Sequence, residues 1–263
     1  MSWSLNIGGV CLTLTGVDEW VNALSQAWPS WAGESSGWEV QLLPDAGLPA
    51  PSRPYFEARP YFSDGNTLLA APGFVGKITS AQHHAVLRAH PTARLNDISY
   101  FIRTVFALAA FEEENLLFHA AGVLHNESAY VLYGNSGSGK TTAAYLSKDK
   151  AVLNDDLLLL RATSAGWEVW GTPFGRRRHP AVRSAPLRVL LRLRQASEDR
   201  LAPFAGGPAL GELVANSPVI NVDTTRLPTL MQRWLQLLTE IPNYQLYFRR
   251  SNTFWEALDA HFN

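Results

Sequence analysis

The chain has 263 residues, 46% of them hydrophobic, which is enough to bury one large core or two smaller ones. A formal net charge of −1 excludes the broad basic field of a general nucleic-acid or membrane-surface binder, so no nucleic acid and no membrane is expected as a partner. The lone cysteine, Cys11, excludes an internal disulfide framework and fits a reducing, cytoplasmic setting.

The first residues, "MSWSLNIGGVCLTLTG", show no basic region followed by a long apolar run, so no secretory signal is expected. No stretch of about 18 apolar residues predicts a membrane span. Residues 1–95 read as a smaller β-rich region of short strands and loops. "VCLTLTG" alternates, "WEVQLLP" at 38–44 is strand-like, and Pro49, Pro51, Pro54 and Pro60 punctuate the middle. "ITSAQHHAVLRAH" at 78–90 fits neither period. Its adjacent His83 and His84 lack partners at metal-ligand spacing.

Residues 96–263 read as a second, α/β domain. Ile98, Phe101, Ile102, Val105, Phe106, Leu108 and Ala109 fall at helical spacing and predict a helix over about 97–113, with Asn96 or Asp97 available to cap it. "HAAGVLHNESAYVLYG" predicts two strands joined at "HNES". A turn centred on Asn126 and Glu127 sets Leu124 opposite Ala129 and His119 near Gly134. A helix from Lys140 to about Ser147 and a strand at 151–154 follow. Further on, strands are predicted at 167–174, 187–195 and 244–250, and helices at 209–216, at 227–241 and after Asn252 or Thr253. Trp167 and Trp170 have opposite strand parity, so one faces inward and one outward. The apolar stripe of 227–241 reads as core.

The stretch from Gly134 to Thr141 fits G-x-x-x-x-G-K-[ST]. A polyphosphate needs many backbone N–H donors converging on one point, and glycines let the chain curl that tightly. The helix that follows turns its positive end toward the anion. On this reading Gly134, Asn135, Ser136, Gly137, Ser138, Gly139, Lys140, Thr141 and Thr142 bind the nucleotide. Lys140 adds a mobile charge for the β- and γ-phosphates, and the Thr141 hydroxyl reaches Mg²⁺. Only four of the 22 basic residues are lysines (Lys77, Lys140, Lys148 and Lys150), and three of them lie within or just after this loop.

"AVLNDDLLLL" places Asp155 and Asp156 after a short apolar strand, 15 residues beyond Lys140. One carboxylate can hold the metal, a role expected of Asp156. The other, expected to be Asp155, can take the proton of an attacking hydroxyl. Two adjacent carboxylates beside an apolar wall also repel, which raises one pKa. His119, brought to the mouth of the loop by the hairpin, can touch a phosphate or orient the acceptor. Arg176, Arg177, Arg178, His179 and Arg183 lie in a Gly/Pro-bounded loop, where a guanidinium can clamp a phosphate or an acidic acceptor.

"FHAAGVLHNESAYVLYGNSGSGKTTAAYL" followed by "AVLNDDLLLL" resembles the HPr serine kinase/phosphorylase family, and most closely its broad branch of HPr-kinase-like proteins. The resemblance covers roughly residues 96–262. It implies a P-loop core with a mixed sheet like the nucleotide domain of phosphoenolpyruvate carboxykinase. It also implies His119 near the phosphates, residues 134–141 on the nucleotide, and Asp155 and Asp156 as base and metal contact. Ala120 stands where the family usually has Gly, and Thr141–Thr142 where true HPr kinases often carry Ser then Glu. The family's later Glu metal ligand and its HPr-docking signature find no counterpart in this sequence, so HPr itself is not the expected substrate. The expected activity is an ATP- and Mg²⁺-dependent kinase acting on a hydroxyl of a peptide, protein or small molecule. A nucleotide-binding regulatory or assembly module and a carboxykinase-like lyase are the alternatives. Self-association into a homo-oligomer is left open.

Overall fold

The computed structural model describes residues 1–34, 37–52, 58–147, 149–175 and 182–262. It is an α/β structure with two mixed sheets and, among the described residues, six α-helices. The chain divides into two compact units, Met1–Glu113 and Glu114–Asn263.

The first unit holds a seven-stranded sheet. β1 (Ser2–Ile7) and β2 (Val10–Gly16) form a hairpin over Gly8 and Gly9, both at positive φ. Helix α1 (Asp18–Ala27) then carries the chain over to β3 (Trp38–Pro44), parallel to β2. β4 (Tyr61–Ser63), β5 (Asn66–Ala71), β6 (Phe74–Thr79) and β7 (His84–Ala89) meander back, and β7 lies parallel to β3. The ambiguous 78–90 stretch resolves into strand, turn and strand. His83 takes a left-handed φ of 47° there, stacks on Trp38 and lies 3.5 Å from Glu112.

Helix α1 was not anticipated within 1–95. Its signal is Trp20, Val21 and Leu24 on one buried face, with Asp18 and Glu19 in the first turn, where negative charge favours a helix N-terminus. Helix α2 (Leu95–Glu112) matches the predicted helix within two residues. Asp97 does cap it, though from inside the first turn, where Oδ2 accepts from the Arg94 N–H at 3.0 Å. Contacts assign α2 to the first unit, whereas the sequence grouped it with the second. Gly76 of β6 explains the docking: a Cβ there would meet the Phe101 ring at 2.2 Å, so the bare strand admits the aromatic side chain.

The second unit is an eight-stranded sheet, with β8 (Leu116–His125), β9 (Ser128–Tyr133), β10 (Val152–Asn154), β11 (Leu157–Thr163), β12 (Gly166–Gly171), β13 (Ser184–Gln195), β14 (Arg200–Pro203) and β15 (Asn243–Phe248). β8 and β13 each change partners along their length, and β8 also pairs with β10 at Gly122 and Val123. β8 pairs with β11 up to His119 and with β9 from Ala120 onward. β13 pairs with β12 through Pro186, then with β9 and β15 in parallel. The pairings therefore close a circuit β8–β9–β13–β12–β11–β8.

The β8–β9 hairpin has the expected register, Leu124 opposite Ala129, about a two-residue turn with Asn126 and Glu127 at φ 47° and 61°. Helices α3 (Lys140–Leu146) and α6 (Phe254–Phe262) pack on one face through Ala143, Ala144, Phe254, Trp255 and Leu258 against Val189, Leu191, Leu193 and Phe248. Helices α4 (Gly206–Ala215) and α5 (Leu227–Glu240) complete the unit. The predicted apolar stripe of α5 buries Leu230, Trp234 and Leu237, and Trp234 lies 4.7 Å from the Phe118 ring. Trp167 is buried and Trp170 half-buried, as their parity required. Among the described residues no helix is long and apolar enough to cross a membrane.

Glu127 occupies a left-handed position that costs an L-residue about 1–2 kcal/mol, part of which glycine gives back in chain entropy. Glu127→Gly should therefore stabilise the second unit by about 0.5 kcal/mol, read as a higher urea midpoint. A lower midpoint would contradict this turn geometry.

Candidate functional site

The glycine-rich segment bridges β9 and α3, as strand, loop and helix. Gly134, Gly137 and Gly139 sit at φ 140°, 81° and 107°, values that an L side chain adopts only under strain. Space also excludes a side chain at Gly139, where a Cβ would meet Phe248 Cζ at 2.7 Å. The Ser138 N–H donates to Asn135 O at 3.0 Å, and Gln195 Nε2 from β13 donates to Gly137 O at 3.2 Å, fixing the crest of the loop. Asn135, Ser136, Gly137, Thr141 and Thr142 are exposed, so the crest and the first turn of α3 are open to a ligand.

Lys140 is different. It is 8% exposed, and its Nζ donates to Gly134 O at 2.7 Å and to Asn135 O at 3.4 Å. Among the described residues no carboxylate forms an ion pair with it. Burial lowers its pKa, and the nearby Asp156 charge offsets part of that shift. The result is a desolvated ammonium folded back onto its own loop.

The two acids occupy the turn from β10 to β11. Asp155 is 9% exposed, and its Oδ1 has no hydrogen-bond partner among the described residues. A buried carboxylate oxygen left in that state is costly, and a cation or donor at this point would remove the cost. Asp156 is more open, with 39% of its side chain exposed, and its Oδ1 lies 3.3 Å from His119 Nε2. His119 sits where β8 leaves β11 for β9: it pairs with Leu157, its N–H donates to Asn216 O, and the next N–H, of Ala120, donates to Asp156 O. The register of β8 with β11 and β9 thus brings His119, the acid turn and the start of the glycine loop to one edge of the sheet.

Asn154 holds that turn, and sequence reasoning missed it. Fully buried, it accepts at Oδ1 from the N–H groups of Asp156 (2.7 Å) and Leu157 (3.0 Å) and donates from Nδ2 to Thr172 O (2.6 Å). Thr172 Oγ1 in turn donates to Leu157 O at 2.9 Å. Gly175 passes close enough that a Cβ would meet Asn154 Oδ1 at 2.6 Å. Asn ahead of two residues whose N–H groups need an acceptor is a turn signal that was present in "LNDD".

Beside the loop, on its β13 side, lies a cleft of about 460 Å³ lined by residues 135–138 and 192–195. Arg192 in this cleft donates to Glu212 Oε1 at 2.6 Å and to Gln245 Oε1 at 3.0 Å. Of the predicted arginine loop, Arg176, Arg177, Arg178 and His179 lie outside the described residues. Arg183 is exposed just ahead of β13, and its carbonyl accepts from the Gly171 N–H. Among the described residues no group of three or more His, Cys, Asp or Glu is gathered as a ready metal site. Mg²⁺ needs less, since it keeps several waters and takes one or two carboxylates. The unpartnered Asp155 oxygen and the exposed Thr141 hydroxyl suit it.

No protein-family model matches the chain, and no curated protein matches it.

Asn154→Ala removes three buried hydrogen bonds and strands their partners. It should destabilise the second unit by at least about 2 kcal/mol in urea unfolding. A variant as stable as the parent would show that Asn154 does not hold the acid turn.

Proposed function

We propose that the second unit is an ATP-dependent kinase domain of the HPr-kinase-like kind, moving the γ-phosphate of ATP to a hydroxyl of a peptide, protein or small molecule. What supports the reading most is a pair of complementary deficits at one sheet edge. Among the described residues, Lys140 is a buried ammonium with no carboxylate ion pair, its burial only partly offset by the Asp156 charge, and Asp155 has a buried oxygen without a donor. An anion relieves the first and a cation the second, and Mg²⁺-ATP supplies both. The chain has no Asn-Lys-x-Asp stretch that would read guanine, so ATP is the nucleotide of this proposal.

In this reading the loop amides and Lys140 hold the β- and γ-phosphates. Asp155 and Thr141 would hold Mg²⁺, which would supply neutralisation of phosphate charge. Asp156 is the base. This assignment of the two acids reverses the one expected from sequence order. It rests on accessibility: Asp155 is buried, whereas Asp156 is open enough for an incoming hydroxyl and is steadied by His119. The acceptor oxygen attacks the γ-phosphorus, the bond to the ADP oxygen breaks, and the acceptor proton passes to Asp156. Position and charge neutralisation supply most of the rate in such a transfer.

Incubation of the protein with γ-labelled ATP, Mg²⁺ and cell lysate should label an acceptor molecule. Lys140→Ala should cut the transfer at least about a hundredfold. Release of free phosphate alone, or intact ATP, would leave a regulatory nucleotide module instead. Asp156→Asn should keep Mg²⁺-ATP binding and lose about 10²–10⁴ in turnover, while Asp155→Asn should raise the Mg²⁺ concentration needed. Unchanged turnover in Asp156→Asn would remove it as the base.

A further inference from the structure

β9 has two neighbours, and they divide the edge at which the glycine loop lies. On one side is β8, with the acid turn and His119. On the other is β13, then β15, then β14. β9, β13 and β15 run parallel, so their carboxyl ends open on the same edge, the place where open α/β sheets take ligands. From β8 to β15 there are three strand spacings, about 14 Å, a distance that an extended nucleoside triphosphate spans. With its γ-phosphate at the acids, such a ligand has its base over β13 and β15.

A specific row of side chains waits there. Arg194 of β13 lies directly opposite Tyr247 of β15, and Tyr247 directly opposite Arg200 of β14. The Arg200 guanidinium carbon is 3.5 Å from the Tyr247 ring centre, and that of Arg194 is 5.7 Å away. Neither arginine has a carboxylate partner among the described residues, although Glu198 lines the same cleft. That cleft, of about 410 Å³, shares Arg194 and Gln195 with the cleft beside the loop, so the two run on from each other. Gln195 joins them physically, donating to Gly137 O and accepting from Arg250 Nη2 at 3.1 Å.

We infer that the Arg194–Tyr247–Arg200 row is the nucleobase platform of the site, stacking a purine on its guanidinium faces beyond the end of the glycine loop. The inference rests on the nucleotide-binding reading above. Flat guanidinium and aromatic faces take the π-surface of a base, and they do so without demanding one base sequence or edge pattern. The Glu198 carboxylate, which lines the same cleft, offers an acceptor for an exocyclic amine of the base.

The test compares Mg²⁺-ATP with inorganic triphosphate by calorimetric titration. The parent protein should bind ATP at least about tenfold more tightly, the lower end of what one stacked base contributes. The double variant Arg194→Lys/Arg200→Lys keeps both charges and loses both flat faces. It should bring ATP down to the affinity of triphosphate and leave triphosphate unchanged. Equal binding of the two ligands by the parent overturns the inference while leaving the phosphate site standing. A parallel loss of both ligands in the double variant overturns it too, since the row would then be an anion site. If neither ligand binds the parent, the nucleotide reading falls and the inference with it.

Discussion

A buried ammonium that forms no carboxylate ion pair among the described residues constrains everything near the glycine loop. Lys140 has given up most of its water and has two main-chain carbonyls in return. Burying a charge on those terms is expensive, and its lowered pKa records the expense. The fold tolerates this because α3 is fastened elsewhere. Ala143 and Ala144 sit in a core with Leu191, Leu193 and Phe248, and the Phe248 ring closes against Gly139 where only a glycine leaves room. Stability in the core thus holds a loop with a poorly compensated buried charge in place.

The pairings of β8 and β13 decide what meets at that loop. β8 pairs with β11 up to His119, with β10 at Gly122 and Val123, and with β9 from Ala120 onward, so His119 lies beside the β10–β11 turn and the end of β9. The acid turn between β10 and β11 is clamped to the neighbouring segment through Asn154 and Thr172. At the far side, β13 leaves β12 and runs out beside β9, delivering Arg192, Arg194 and Gln195 to the opposite flank. One edge therefore presents acid, glycine loop and arginine in that order.

Local features were legible in the sequence. The two-residue turn at Asn126–Glu127 fixed the register of β8 and β9, and the alternation of 10–16 and the strand-like run at 38–44 marked two strands to the residue. The strand–loop–helix around 134–146 was readable because glycine spacing and apolar pattern agree there. What depended on distant partners was not. Helix α1 was hidden by the short strands around it. The docking of α2 depends on a bare glycine in a strand twenty-odd residues upstream, so no helical pattern could announce it. Asn154 passed as the last residue of an apolar strand, since its partners include Thr172, 18 positions on. The Arg194–Tyr247–Arg200 row comes from three strands whose pairing no local pattern encodes.

Because the chain has only four lysines, isotope-labelled lysine NMR offers the most direct test of the central claim, that Lys140 is held largely out of water where an anion would relieve it. Followed against pH in the free protein, the Lys140 side chain should titrate below the exposed lysines. On adding Mg²⁺-ATP its titration should move upward, because a bound anion favours the charged form. A Lys140 that titrates with the other lysines and does not respond to the nucleotide would contradict the account.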